Sequence, residues 1–315
     1  MLIYRFPGKE ITQKTGHFEK FEELPQNGFV ISDFRGENRY VFKENSTDSE
    51  QHLKNDNIFA IEKRDYLKKA TLLISTMKAI GIKKTVFSRV KELQFDEKKA
   101  INLFYQLEQA YPNAFVYLFR DNVLGTWIGA SPEILLRKID SNGFTISLAG
   151  TKSSGDVSAW SNKEKLEQGY VSDYIEEELK TLKINGIEKS EIYEHKAGPV
   201  KHLRTDFTFS MNKSNVDAFL KTIHPTPAIS GLPQSLALEL IDQIEIHDRA
   251  LYSGYIGEID NENASIYVNL RCCQIRKGKI YLYLGGGYTT DSDPEKEWIE
   301  TENKSKTISD LIQKL

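Results

Sequence analysis

Short apolar runs bounded by turn residues dominate this chain, and they predict strands. GFVISDF (28–34), NRYVFK (38–43) and KTVFSRV (84–90) are of this kind, the first two within an opening 43 residues that read as short strands and turns. Four more follow in close succession, FVYLFR, LGTWIGA, EILLRKI and FTISLAG, between residues 115 and 150. Apolar residues at helical spacing appear in RDYLKKATLLISTMKAI (64–80), which Gly81 ends. DEKKAINLFYQLEQAY (96–111) is a second helix, with Asp96 placed as its cap and Pro112 as its stop. Helices are also predicted at about 162–183 and 233–244, then two strand pairs, then a last helix from about 294. The polar stretch ENSTDSEQHLKNDN (44–57) reads as a loop. Consecutive strands joined by tight turns, with occasional helices over them, predict antiparallel sheets flanked by helices. That is an α/β fold of the α+β type.

Composition narrows the picture only a little. At 315 residues, one large domain and two joined halves are both allowed. The formal net charge of -3 argues against nucleic acid as a partner. No apolar run approaches the roughly 20 residues of a spanning helix, so no membrane is expected. The start, MLIYRFPGKE, lacks the order of a signal peptide, and the cytoplasm is the expected compartment. Cys272 and Cys273 are adjacent in a strand, so they should face opposite ways as packed core thiols.

Candidate chemistry concentrates in the last third. HPTPAISG (224–231) is a Pro-stiffened turn into a helix, IYVNLRCCQI (266–275) sets Arg271 in an apolar strand, and LGGGYTTDSDPEKEWIETENKSK (284–306) runs glycines into a carboxylate-rich helix. Glu297, Glu300 and Lys304 share one helical face by their spacing. Two carboxylates that close repel unless a cation lies between them. LGGGY reads as a Gly-rich loop but fits neither nucleotide-binding spacing.

Several dispersed motifs together resemble the chorismate-utilising enzymes, which include isochorismate synthases, salicylate synthases and the large subunits of anthranilate and aminodeoxychorismate synthases. The motifs are KTVFSR (84–89), GASPEILL (129–136), LAGT (148–151), VKHLRT (200–205), HPTPAISG, DRALYSGYIGEID (248–260), the Arg271 strand and EKEWIETENK. The likeness runs from about Lys63 to the C-terminus, while residues 1–60 are shorter and more divergent. It implies an anthranilate synthase component I-like fold forming one catalytic domain over 1–315, with chorismate as substrate and Mg²⁺ as cofactor. No glutaminase subunit is expected, and a monomer is.

The resemblance also implies roles. Lys84 is the base that activates water, a task for the neutral amine, which burial or neighbouring cations favour. Glu133 is the general acid, its proton held by burial, and His202 orients the reacting groups. Glu167 and Glu300 are metal ligands, joined by Glu164 and Glu297, which sit three residues before them. Glu176, Glu177 and Glu178 read as a solvated helix face. Arg271, Lys304 and the amides near Gly285, Gly286 and Gly287 clamp the anion, with Tyr252 and Gly150 beside it. His224 is expected to be structural. Lys84 is glutamine-like in the amine-adding relatives, and Ala228 stands where amine-adding and salicylate-forming relatives look to have threonine. Both features favour an isochorismate synthase, whose product serves menaquinone or siderophore synthesis, over a salicylate synthase or a non-catalytic chorismate-binding protein.

Overall fold

This computed structural model describes residues 1–45, 58–197 and 200–315; most of the predicted 44–57 loop lies outside the described residues. In chain order the first elements are β1 (Leu2–Arg5), β2 (Thr12–Lys14), β3 (Gly16–Lys20), β4 (Gly28–Ser32), β5 (Arg39–Glu44), α1 (Lys63–Ile80), β6 (Lys84–Gln94) and α2 (Ala100–Ala110). Then come β7 (Phe115–Asp121), β8 (Gly125–Ser131), β9 (Ile134–Ile139), β10 (Asn142–Ser153), α3 (Asn162–Thr181), β11 (Asn185–Lys189), β12 (Tyr193–Ala197) and β13 (Val200–Ser210). The rest are α4 (Val216–Ile223), β14 (Gly231–Leu232), α5 (Gln234–Ile244), β15 (Tyr255–Ile259), β16 (Ala264–Val268), β17 (Cys272–Arg276), β18 (Lys279–Tyr288) and α6 (Pro294–Ile312).

The strands form two antiparallel sheets. One runs β14-β6-β18-β17-β8-β7-β1-β2; the other runs β11-β13-β10-β9-β16-β15-β4-β5-β3, with β12 also on β13. Period-two alternation decides how they stack. Phe115, Tyr117 and Phe119 of β7 point inward and join Trp127, Phe29, Ile31, Leu148 and Tyr267 in an aromatic core between the sheets. Val116 and Leu118 point outward, under Leu103 and Leu107 of α2 and Ile308 of α6. The second sheet is covered by Val171, Ile175 and Leu179 of α3 and Phe219 of α4. Tyr66, Leu73 and Met77 of α1 pack on α5 and on Phe87. The expected α+β architecture of antiparallel sheets under helices is what forms.

Helix ends follow local chemistry. Gly81 closes α1 in the left-handed region at φ 78°. Asp293 caps α6, with Pro294 in its first turn. Asp96 differs from expectation: it accepts from the Lys98 amide and caps a short 3₁₀ turn, and α2 begins only at Ala100. Two other expectations are corrected. LGGGY is the end of strand β18, paired with β6, and no loop. Arg271 lies in no strand: it sits between β16 and β17 with φ 49°, where the chain leaves one sheet and joins the other.

That crossover has a twin at 132–133, between β8 and β9. The two are bonded to each other. Val268 donates its amide to the Glu133 carbonyl (2.9 Å), Ala130 donates to the Arg271 carbonyl (3.1 Å), and the Ser131 hydroxyl donates to the Val268 carbonyl. Tyr117 and Asn269 lock the joint with a 2.7 Å hydrogen bond.

Cys272 faces the inner core and Cys273 the outer one, as alternation requires. Burial pushes both thiols up in pKa. Neither should react with a disulfide reagent such as DTNB in native protein, and both should react in denaturant. Stoichiometric native labelling would contradict this packing.

Candidate active site

A cavity with about 710 Å³ of atom-free space, open solvent included, lies where the crossovers meet. Glu133, Gly150, Glu167, His202, Ala228, Tyr252, Arg271, Gly285, Gly286, Glu300 and Lys304 line it, so most of the sequence-predicted site comes together here. Glu164, Glu297 and Lys84 do not line it. Glu164 and Glu297 line the adjoining cavity, which shares Thr151, Glu167 and Glu300 with the first.

Lys84 stands behind Glu167. Its side chain is fully buried on the same face of β6 as Val86, and its Nζ lies 3.2 Å from Glu167 Oε1. Its neighbour is therefore an anion, where the sequence reading allowed for nearby cations. The HPTPAISG segment docks onto this strand. Val86 donates to the Ser230 carbonyl (2.8 Å), and Gly231 passes so close that a Cβ there would lie 2.2 Å from the Lys84 carbonyl oxygen. This places Ala228 and Ile229 in the cavity wall. Arg249 secures the contact by donating to the carbonyls of Ile229 (2.7 Å) and Val86 (2.8 Å). Its role was missed in the sequence, although its motif was noted.

Glu133 sits at the first crossover, buried, with its carboxyl pushed up to about 7 by desolvation; Lys84, Arg271 and Lys304 oppose that rise without cancelling it. At the second crossover Arg271 brings its guanidinium to the cavity, and Nη1 has no partner among the described residues. A buried, unpaired guanidinium nitrogen is a donor awaiting an anion. His202 projects from β13 toward it. Nδ1 donates to the Gly150 carbonyl (3.1 Å), leaving Nε2 as the acceptor 3.5 Å from Arg271 Nη2. Burial, Arg271 and Lys304 hold the imidazole well below its usual pKa, hence neutral. The carbonyl that fixes this tautomer is presented by a bulge in β10, with Gly150 at φ 67°. His224 bonds the Phe34 carbonyl at 3.0 Å, away from the cavity, in line with a structural role.

The glycines of β18 act by leaving room. A Cβ on Gly285 would meet the Tyr252 hydroxyl at 2.7 Å, on Gly286 the Glu297 carboxylate at 3.3 Å, and on Gly287 the Glu167 carboxylate at 2.1 Å. Two carboxylates thereby crowd one strand end, and a third, Glu300, lines the same cavity as Glu167. In this structure each meets a lysine: Glu167 with Lys84 at 3.2 Å, Glu297 with Lys163 at 2.5 Å, and Glu300 with Lys304 at 2.6 Å. Lys304 also donates to the Gly285 carbonyl (2.9 Å). Glu164 turns away to bond the Ser161 amide at 2.8 Å, capping α3.

Among the described residues, no three His, Cys, Asp or Glu side chains are arranged to hold a metal ion as they stand. The donor chemistry nevertheless fits a hard divalent cation. Glu297 is buried, its Oε2 has no partner among the described residues, and desolvation and then the Glu300 charge push its carboxyl up to about 7. A cation set among Glu167, Glu297 and Glu300 would relieve both strains.

The Glu133 shift has a sign that can be measured. Folding raises this carboxyl from about 4.5 to about 7, so in that window the native state binds more protons than the unfolded state, and stability falls as pH rises. Glu133→Gln removes this loss. Its melting temperature relative to wild type should therefore be higher at pH 8 than at pH 5; a difference independent of pH would contradict the assigned shift.

Comparison with known proteins identifies the family. Isochorismate synthase EntC of Escherichia coli is 31% identical over 207 residues, covering 60% of this chain and 51% of EntC. Anthranilate synthase component 1 of Aquifex aeolicus is 28% identical over 233 residues, covering 67% of this chain and 46% of the relative. The chain thus spans about half the length of the curated relatives it matches. The solved structure of MenF, the menaquinone-specific isochorismate synthase from E. coli, superposes with a TM-score of 0.83 at 20% identity, covering 99% of this chain and 88% of that one, which establishes a shared fold. Residues 30–313 match the family described as chorismate binding enzyme, and the chain belongs to that family.

Proposed function

We propose that this protein is an isochorismate synthase that adds water at C2 of chorismate as the C4 hydroxyl leaves. The observation that carries the reading is the shared cavity. A buried carboxyl pushed up to about 7 shares the cavity with Lys304 and with the Arg271 guanidinium, whose Nη1 has no partner among the described residues, and a fully buried lysine stands behind the wall. EntC, a relative named for this activity, supports the choice of reaction.

Arg271 and Lys304 bind carboxylate groups of the substrate, and Arg271 supplies the planar fork. Lys84 is the base that takes a proton from the attacking water. Glu133 gives its proton to the departing C4 oxygen, which leaves as water. One water enters and one leaves, and the proton gained by Lys84 is returned to Glu133 through solvent, so the reaction is an isomerisation. Neutral His202, with Nε2 as acceptor, orients a substrate hydroxyl or the water. Ala228 and Ile229 close the cavity against the ring. Glu167, Glu300 and Glu297 would hold magnesium, which would supply the positive charge that lets a dianion share this space with carboxylates. Glu164, which caps its own helix, would not be a direct ligand of this cation.

Incubation with chorismate and Mg²⁺, followed by chromatography, should yield isochorismate. Salicylate with pyruvate would instead make the protein a salicylate synthase. Glu133→Gln and Lys84→Ala should each lower kcat by about 10²–10⁴-fold, with chorismate binding retained. Near wild-type turnover in either variant would remove that residue from the chemistry.

A further inference from the structure

The three lysines that meet the carboxylates are not equivalent. Lys84 is enclosed on a sheet strand, and Lys304 shares α6 with Glu300 and holds the Gly285 carbonyl as well. Lys163 comes from a different helix, α3, and among the described residues its side-chain hydrogen bond goes to Glu297 alone. It reaches a carboxylate only 3% exposed from a position itself 27% exposed. Lys163 therefore supplies charge to an acid that the fold has buried, and it does so from the solvent side.

The same carboxylate keeps Oε2 without a partner among the described residues, so Lys163 satisfies half of it. The cavity beside Lys163 holds about 1110 Å³ of atom-free space, open solvent included, and Asp156, Asp291, Asp293 and the glutamates that line it outnumber its other lysines, Lys152 and Lys296. An ammonium released from Glu297 would find other carboxylates and water there without crossing the core. A divalent ion at Glu297 and an ammonium hydrogen-bonded to the same group would repel within a few ångströms, where charge–charge energies are large.

We propose that Lys163 is a resident counter-cation that Mg²⁺ must displace. It neutralises Glu297 in the metal-free protein and swings into the acidic vestibule when the ion binds. This rests on the reading of Glu167, Glu297 and Glu300 as a cation site. It adds that the protein sets a threshold on cation binding, and that the residue doing so is not a ligand.

The test is calorimetric titration of Mg²⁺ into the metal-free protein without chorismate, paired with thermal melts at zero and saturating Mg²⁺, for wild type, Lys163→Met and Lys163→Gln. With the competitor gone, Kd should fall about tenfold. The metal-free variants should melt below wild type and the Mg²⁺-saturated ones level with it. Glutamine, which can still hydrogen-bond Glu297, gives the same comparison should the methionine variant fail to fold. An unchanged Kd, with equal melting losses at both Mg²⁺ levels, would make Lys163 a fixed structural partner and overturn the proposal. Weaker Mg²⁺ binding in the variants would overturn it too, by making Lys163 a support of the site. Wild type showing neither binding heat nor a Mg²⁺-dependent melt would instead remove the cation site itself.

Discussion

Two chain crossovers bonded to each other fix the chemistry of this molecule. A strand that passes from one sheet to another must break its ladder, and the freed backbone groups need partners. Here they find them in one another, through the Val268 amide on the Glu133 carbonyl and the Ala130 amide on the Arg271 carbonyl. Glu133 and Arg271 are thus placed by one backbone joint between two sheets. Side-chain rotamers alone could not hold a carboxyl and a guanidinium in fixed relation at such different points of the sequence. The Tyr117–Asn269 bond and the aromatic core beneath make the joint stiff.

Charge is the second constraint, and it is shared out by depth. Each glutamate around the end of β18 has a lysine, but the lysines differ in how firmly they are held, from enclosed Lys84 to partly exposed Lys163. The glycines at 285, 286 and 287 make the crowding sterically possible. With alanine at 287, the Glu167 carboxylate could not stay where it is. A site of this kind costs stability, because like charges are gathered in a region of low dielectric. That cost is tolerable where a cation is part of the working state.

How far the sequence revealed this depended on whether a feature was local. The helix over 64–80 and its Gly81 stop, the strand starting at Lys84, and the opposite facing of Cys272 and Cys273 all follow from periods of 3.6 and 2. Most of the site residues were legible through dispersed motifs. Arg271 was read as a strand residue because its neighbours are apolar and β-branched or thiol-bearing; nothing within ten residues announces a change of sheet. The glycines were read as a loop because glycine weakens strands, and here the demand for room overrides propensity. β11, β12 and α4 were not predicted. Lys163 was legible only in part: its i, i+4 spacing to Glu167 puts both on one face of α3, but its partner Glu297 lies on another helix, 134 residues away.

The opposed fates of two buried groups show which force sets the chemistry. Glu133 lies within the fields of Lys84, Arg271 and Lys304, and three cations ought to hold it ionised. Its carboxyl nonetheless rises to about 7, because removal from water costs the carboxylate more than those charges return. His202 feels desolvation and two of the same cations, but for an imidazole both effects act in one direction, and it stays neutral. A single environment thus keeps one proton available on an acid and withholds another from a base, without a separate device for each. What differs between the two residues is the charge type of the ionised form. That is why a carboxyl and an imidazole, rather than two of either, suit neighbouring places in this cavity.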